Sequence, residues 1–305
     1  MKITAGAPGA VPGRKADKMA GKAETTGTLY LVSTPIGNLE DITLRALRVL
    51  KEADIIAAED TRQTLKLLNH FGIKNTLVSY YEHNRAEKGD YLVGRLLEGK
   101  DVALVSDAGT PGISDPGEDL VRLAVSRGIP VTVIPGPSAV IAGVVLSGFP
   151  AGRFAFEGFL PVNRRARRER LSAISRDTRT LVFYEAPHKL LQTLKDLRDA
   201  LGNRRAAIAR ELTKKFEEVW RTTLDEAVAR YENEPPKGEF VIILEGADER
   251  GLREDEIKCW EGISIQDHVR MYLDSGLDRK EAMKKVAEDR GISKREVYSS
   301  LLGKD

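Results

Sequence analysis

Five short apolar runs between residues 28 and 134 each lead into a helix-like segment, and this alternation constrains the fold more than any other feature of the chain. The runs cover 28–32, 54–58, 76–81, 102–105 and 131–134. Runs this short, bounded by Gly, Pro and Asp and lacking a polar face, read as parallel strands covered on both sides. The segments between them predict helices through residue 53, after 59–62 to about 71, over about 86–98 and over 118–127, with Asp41 or Thr43 as the first cap and Gly72 as a stop. Alternating strands and helices imply a parallel sheet with helices on both faces. A second stretch has the same style, with strands expected over 153–159, 180–184, 206–210 and 239–244 and helices over 164–176, 187–201 and 223–232. No short fixed period repeats, which excludes a solenoid.

The richest loop follows the fourth run. Residues 106–117 carry Gly109, Gly112 and Gly117, Pro111 and Pro116, together with Asp107, Asp115 and hydroxyl side chains. Glycine admits a ligand close to the backbone, proline stiffens the loop, and ligands of open α/β sheets bind at the carboxyl ends of strands. Two comparable loops follow the first and fifth runs, Ser33-Thr34-Pro35-Ile36-Gly37-Asn38-Leu39 and Pro135-Gly136-Pro137-Ser138-Ala139. A dinucleotide is the usual ligand of such a unit, but neither G-x-G-x-x-G after the first strand nor G-x-x-x-x-G-K-[ST] anywhere is present. An adenosine without a pyrophosphate suits these loops better. Asp107 can accept from an amine or hydroxyl, and the Thr110 and Ser138 hydroxyls and the backbone near Ala108 and Ala139 can serve the rest.

Composition removes other classes. The 305 residues hold a single cysteine, Cys259, and a net charge of +2, which excludes an internal disulfide framework and a globally basic nucleic-acid binder. The four histidines lack metal-ligand spacing, so no metal site is expected. No apolar run reaches membrane length and the N-terminus lacks a signal-peptide core, so a cytoplasmic protein with no membrane contact is expected. Residues 1–27, rich in Gly, Ala, Pro and Lys, predict a disordered leader. Domains are expected over 28–137 and 138–248. The tail, 249–305, is charged but nearly neutral and reads as helical, with capping patterns at Asp278/Glu281 and Ser293/Glu296 and two helices split near Gly291 in a helix-turn-helix-like arrangement. It is either a packing module or a nucleic-acid contact.

The loops just quoted, with Ala58-Glu59-Asp60-Thr61-Arg62, Phe183-Tyr184-Glu185-Ala186-Pro187-His188-Lys189, the stretch from Arg210 to Glu218 and Lys237-Gly238-Glu239-Phe240, resemble the tetrapyrrole methylase superfamily in order over about 28–246. Within it they are similar to the branch that methylates the ribose 2′-hydroxyl of a cytidine in the decoding region of 16S rRNA. The resemblance implies two α/β domains with S-adenosylmethionine in the cleft between them, a small helical C-terminal module, and a homodimer acting on 16S rRNA or the small ribosomal subunit. It implies cofactor contacts at Pro35, Gly37, Asp107, Ala108, Gly109, Thr110, Ser138, Ala139, Tyr184, Glu185, Ala186, Pro236, Lys237 and Gly238. The leader is the part it does not explain.

Methyl transfer to a ribose hydroxyl needs alignment and help for a weak nucleophile. Polar groups expected near the cleft are Glu59, Asp60, Arg62, Glu185, Glu211 and Lys214. A carboxylate base is expected, Glu59 or Asp60, with Lys214 or Arg62 holding phosphate. Lys214 is a further catalytic candidate. Arg164, Arg165, Arg167, Arg168 and Arg170 form a run suited to RNA phosphates. Two other classes share the fold: a methyltransferase of tetrapyrrole precursors, and a non-catalytic S-adenosylmethionine-binding module.

Overall fold

The computed structural model describes residues 26–251 and 262–302; the leader through residue 25 and Cys259 lie outside them. The first sheet is parallel, in the order β3-β2-β4-β1-β5, from β1 (Leu29–Val32), β2 (Ile55–Ala58), β3 (Leu77–Ser79), β4 (Val102–Val105) and β5 (Val131–Ile134). Between the strands run α1 (Leu44–Glu52), α2 (Thr61–His70), α3 (Arg85–Leu97) and α4 (Gly117–Ser126). The period of two along the strands sorts their side chains into two cores. Ile55, Ala57, Val102 and Leu104 pack with Leu92, Leu96 and Leu120 of α3 and α4, while Ile56, Ala58, Ala103 and Val105 pack with Leu50 of α1 and Leu68 of α2. Central strands buried on both faces explain why these runs carry no polar alternation. Thr43, not Asp41, caps α1, accepting from the Ala46 N–H at 3.0 Å.

The second sheet has the order β6-β7-β10-β8-β9, from β6 (Phe154–Gly158), β7 (Thr180–Glu185), β8 (Arg205–Arg210), β9 (Glu218–Thr223) and β10 (Phe240–Leu244). β6 and β7 run parallel. Backbone bonds from Glu211 to Glu239 and from Glu245 to Arg205 make β8 and β10 antiparallel. α5 (Ala139–Ser147) precedes this sheet in the chain, and α6 (Arg164–Ile174), α7 (Pro187–Leu201) and α8 (Leu224–Asn233) accompany it. β9 is an addition to the sequence reading. It is an edge strand with no fully buried residue, so its β-branched and aromatic residues carry no clear inside-outside signal.

The chain falls into two compact units. One runs to Leu146 and includes Ala209–Trp220 and Gly238–Val241; the other comprises Ser147–Ile208, Arg221–Lys237 and the chain from Ile242 onward. The first unit's leading stretch ends within α5, so most of this apolar helix stays with it. Among the described residues the helical tail includes a helix ahead of the two expected around Gly291. α9 (Ile265–Asp274), α10 (Arg279–Arg290) and α11 (Lys294–Leu301) enclose a small core of Val269, Ala282, Val286, Ala287 and Val297. Both expected caps form, Asp278 on α10 and a reciprocal Ser293/Glu296 box on α11.

Candidate active site

The loops after β1, β4 and β5 are built into one another at the carboxyl edge of the first sheet. Thr34 and Gly109 exchange both backbone hydrogen bonds, at 2.9 and 3.0 Å. The Ser33 and Thr110 hydroxyls share a hydrogen bond of 2.9 Å, and Thr34 Oγ1 donates to the Ser106 carbonyl at 3.4 Å. Gly136 lies so close that a Cβ there would sit 2.9 Å from Ser33 Cβ. The Asp115 carboxylate collects the N–H groups of Gly112, Ile113 and Gly117 and turns the chain into α4. Asp107 and Ala108 remain exposed at the crest, above a floor of buried Ser33, Thr34 and Ser106.

The loop after β2 joins this group. Asp107 Oδ1 accepts from the Asp60 backbone N–H at 3.0 Å. Asp60 caps α2 and makes two side-chain bonds with Arg62, at 3.1 and 2.8 Å. The Arg62 hydrogen bonds hold the Asp60 carboxyl down to about 2. Glu59 moves the opposite way. Burial, then the Asp107, Asp115 and Asp60 charges, push its carboxyl above the usual range, against a hydrogen bond from the Asp107 backbone. Of the two expected bases, Glu59 is thus the one with raised proton affinity. Asp60 is a helix cap fixed in its charged form.

Residues 211–217 of the same unit close against the first loop. The Asn38 N–H donates to Thr213 Oγ1 at 3.1 Å, and a Cβ on Gly37 would overlap the Lys214 side chain at Cγ. Position 37 therefore tolerates no side chain unless this segment moves, and glycine is what lets the two stretches pass so closely. Glu211 and Thr213 hold left-handed backbone conformations, with φ of 52° and 64°, rare for such residues. The strain is held by a polar knot. Glu211 Oε1 accepts from Lys214 Nζ and from the Glu239 N–H, both at 2.9 Å, Lys214 Nζ reaches Glu239 Oε2 at 3.0 Å, and Glu217 accepts from the Thr213 N–H at 2.6 Å. Burial alone would lower the Lys214 ammonium, but its bonds to Glu211 and Glu239 outweigh this and raise it; Lys214 in turn lowers Glu211. Lys214 is therefore a charged, doubly paired tether, and its charge is already offset. Sequence reasoning did not find this knot, because contacts across 25 to 28 residues leave no local pattern.

In the second unit, Tyr184 stacks edge-on to Phe156. Glu185 is buried and fully engaged, Oε1 accepting from the Ala186 N–H at 2.9 Å and Oε2 from the Thr193 hydroxyl at 2.5 Å. Thr193 also accepts from Arg167, whose Nε binds Asp196 at 2.5 Å. Arg167 thus points inward, its side chain 15% exposed: it stands one turn before buried Leu171 and on the same helix face. Arg165 pairs with Glu169, and Arg170 with the buried carboxylate of Glu157. Arg164 and Arg168 are exposed. Pro236 is half-buried and Lys237 exposed; Gly238 belongs to the first unit. Ser138 and Ala139 are half-buried where α5 begins. Among the described residues no cluster of His, Cys, Asp or Glu is arranged to hold a metal.

The first unit's loops together offer an exposed carboxylate, accessible backbone at Gly37 and Ala108, and beside them a carboxylate of raised proton affinity. This donor and acceptor set fits an adenosine-bearing ligand with amine and hydroxyl donors.

The family model for tetrapyrrole (corrin/porphyrin) methylases matches residues 28–228. A protein from Halalkalibacterium halodurans named ribosomal RNA small subunit methyltransferase I is 53% identical over 273 residues, 90% of this chain and 94% of that protein. A protein of the same name from Bacillus subtilis is 44% identical over 274 residues, again 90% of this chain and 94% of its own length. Among solved structures, a uroporphyrin-III C-methyltransferase from Thermus thermophilus complexed with S-adenyl homocysteine aligns with a TM-score of 0.51 at 24% identity, covering 71% of this chain and 97% of that one.

Proposed function

The chain belongs to the tetrapyrrole methylase family, and from that premise we propose that it is an S-adenosylmethionine-dependent methyltransferase of small-subunit ribosomal RNA, acting on the 2′-hydroxyl of a cytidine ribose. One observation carries this reading. Identity of 53% extends over 90% of the chain and 94% of the relative of that name, whereas the tetrapyrrole enzyme structure shares 24% and covers 71%. The first likeness supports a shared substrate class; the second supports a shared fold.

The cofactor supplies an activated methyl group together with its leaving group, so the protein's task is alignment. Asp107 and the backbone of Pro35, Gly37, Ala108, Gly109, Ser138 and Ala139 would hold it from the first unit, with Thr110 and Gly238. From the second would come Tyr184, Ala186, Pro236, Lys237 and the backbone of Glu185, whose carboxylate is committed to Thr193. Glu59 is the base that takes the ribose hydroxyl proton; burial and three neighbouring carboxylates make it the stronger base of the pair. Arg62 is 87% exposed along its side chain and can meet a phosphate while keeping Asp60 in place. Lys214 holds the 211–217 segment. The proposal includes a cytoplasmic homodimer with the cofactor bound between the two α/β units.

The test is label transfer from S-adenosylmethionine carrying a tritiated methyl group. The protein is offered small ribosomal subunits, free 16S rRNA and a uroporphyrinogen. Label entering rRNA supports the reading; label entering only the tetrapyrrole overturns it.

A further inference from the structure

α6 and α7 enclose a cavity of about 940 Å³ in the second unit. Arg164 and Arg168 line it one turn apart, and Lys189 enters from the first turn of α7. Among the described residues none of these three side chains makes an ion pair or hydrogen bond. Their neighbours do otherwise: Arg165, Arg167 and Arg170 are each tied to a carboxylate. The two acids on the wall are already paired, Asp196 with Arg167 and Asp199 with Arg198. Three unpaired cations line one cavity of mixed polar and apolar wall, and Val162, 80% exposed, stands beside them. Like charges gathered without counterions repel one another, and an anion relieves the repulsion.

We propose that this groove is the site where the enzyme grips a single-stranded stretch of its RNA substrate, with Arg164, Arg168 and Lys189 on successive phosphates and a sugar or base edge against Val162. The inference rests on the rRNA reading above and narrows it: of the α6 arginines, Arg164 and Arg168 bind phosphate, and Lys189, outside the run, joins them. Arg164 and Arg168 stand four residues apart, about 6 Å along the helix axis, a separation comparable to that of neighbouring phosphates on one strand. Guanidinium forks and an ammonium suit phosphate oxygens.

The test compares wild type with Arg164→Gln/Arg168→Gln/Lys189→Gln in the full chain. A second variant, Arg48→Gln/Arg95→Gln/Arg122→Gln, removes the same charge from exposed sites of the first unit. Equilibrium binding of 16S rRNA is measured across a salt series, with S-adenosylhomocysteine binding as the check that each protein is folded. The groove variant should bind RNA at least about tenfold more weakly at physiological salt, with a salt slope shallower by about 2, as three lost contacts to a single strand require. The control should keep the wild-type slope. If the groove variant binds S-adenosylhomocysteine normally and keeps wild-type RNA affinity and slope, the groove assignment is wrong while the rRNA reading stands. If wild-type protein methylates no rRNA, the reading itself fails.

Discussion

Asp107 Oδ1 accepts the backbone N–H of Asp60 at 3.0 Å, so one carboxylate at the end of β4 fixes the start of α2 and still faces outward. That double duty makes Asp107 the most informative residue of the first unit. Asp107→Ala should weaken S-adenosylhomocysteine binding at least about tenfold, the cost of leaving a ligand donor unpaired. Asp107→Asn keeps an acceptor and should lose less. Calorimetric titration gives both numbers, and equal affinity in all three proteins would remove Asp107 from the site.

Glu59 and Asp60 are adjacent, yet their environments push them apart. Turnover should rise with pH through an apparent value above 4.5, because Glu59 must lose its proton to act and its carboxyl is raised. Glu59→Gln should erase that limb and reduce turnover about 10²- to 10⁴-fold. Asp60→Asn, which preserves a helix cap, should leave turnover within a few-fold. Stability moves the other way. Folding raises the Glu59 pKa, so its favourable contribution is present below the unfolded value and lost as pH climbs through the folded one. At neutral pH Glu59→Gln should therefore raise Tm while it lowers activity; a pH-independent wild-type rate would refute the assignment.

Gly238 has φ of 96°, and a Cβ there would lie 2.7–2.8 Å from Glu211. Gly238→Ala meets both a left-handed backbone and a collision, and should cost about 1–3 kcal/mol by thermal or urea unfolding. Adding Glu211→Ala removes the collision but not the backbone strain. Glu211→Ala by itself gives up the bonds to Lys214 and Glu239, so the double variant should lose less than the sum of the two single losses, and additive effects would show that the two residues do not touch.

His268 is buried in the helical tail, stacked on Tyr272, with Arg290 on Nδ1 and Asp289 3.5 Å from Nε2. Burial, then the Arg290 charge, lowers its pKa, with Asp289 opposing. The unfolded tail therefore binds a proton that the folded one refuses. Its stability should be complete above 6.5 and decline as pH falls toward the lowered value. Hydrogen exchange at Val269, Ala282 and Val286 should accelerate at about pH 5.5 relative to about pH 7.5, corrected for intrinsic rates. Unchanged protection would contradict the burial argument.

Much of the first unit was legible because its strands are short apolar runs bounded by turn residues, the central ones buried on both faces, and its helices are amphipathic. β4, β5 and, in the second unit, α7 occupy the expected residues, since Val102–Val105 and Val131–Ile134 are bounded by turn formers and Pro187 and Gly202 bracket α7. The three rich loops were legible for the same reason: glycine and proline mark geometry directly. The edge strand β9 was not, having no buried face to set its period. The inward turn of Arg167 was readable in principle from its i, i+4, i+7 spacing with Leu171 and Ile174, but a dense basic run hides a short apolar stripe. The Glu211–Lys214–Glu239 knot was beyond local reading, because its parts meet only when β8 and β10 pair.

The most direct test of the account is the chemical identity of the product. Small subunits from cells lacking this protein are treated with it and S-adenosylmethionine, the 16S rRNA is digested to nucleosides, and the methylated nucleoside is identified by mass spectrometry against standards. The account predicts 2′-O-methylcytidine at a single position, absent with Glu59→Gln protein. A methyl group on a base, or no new methylated nucleoside, would contradict it.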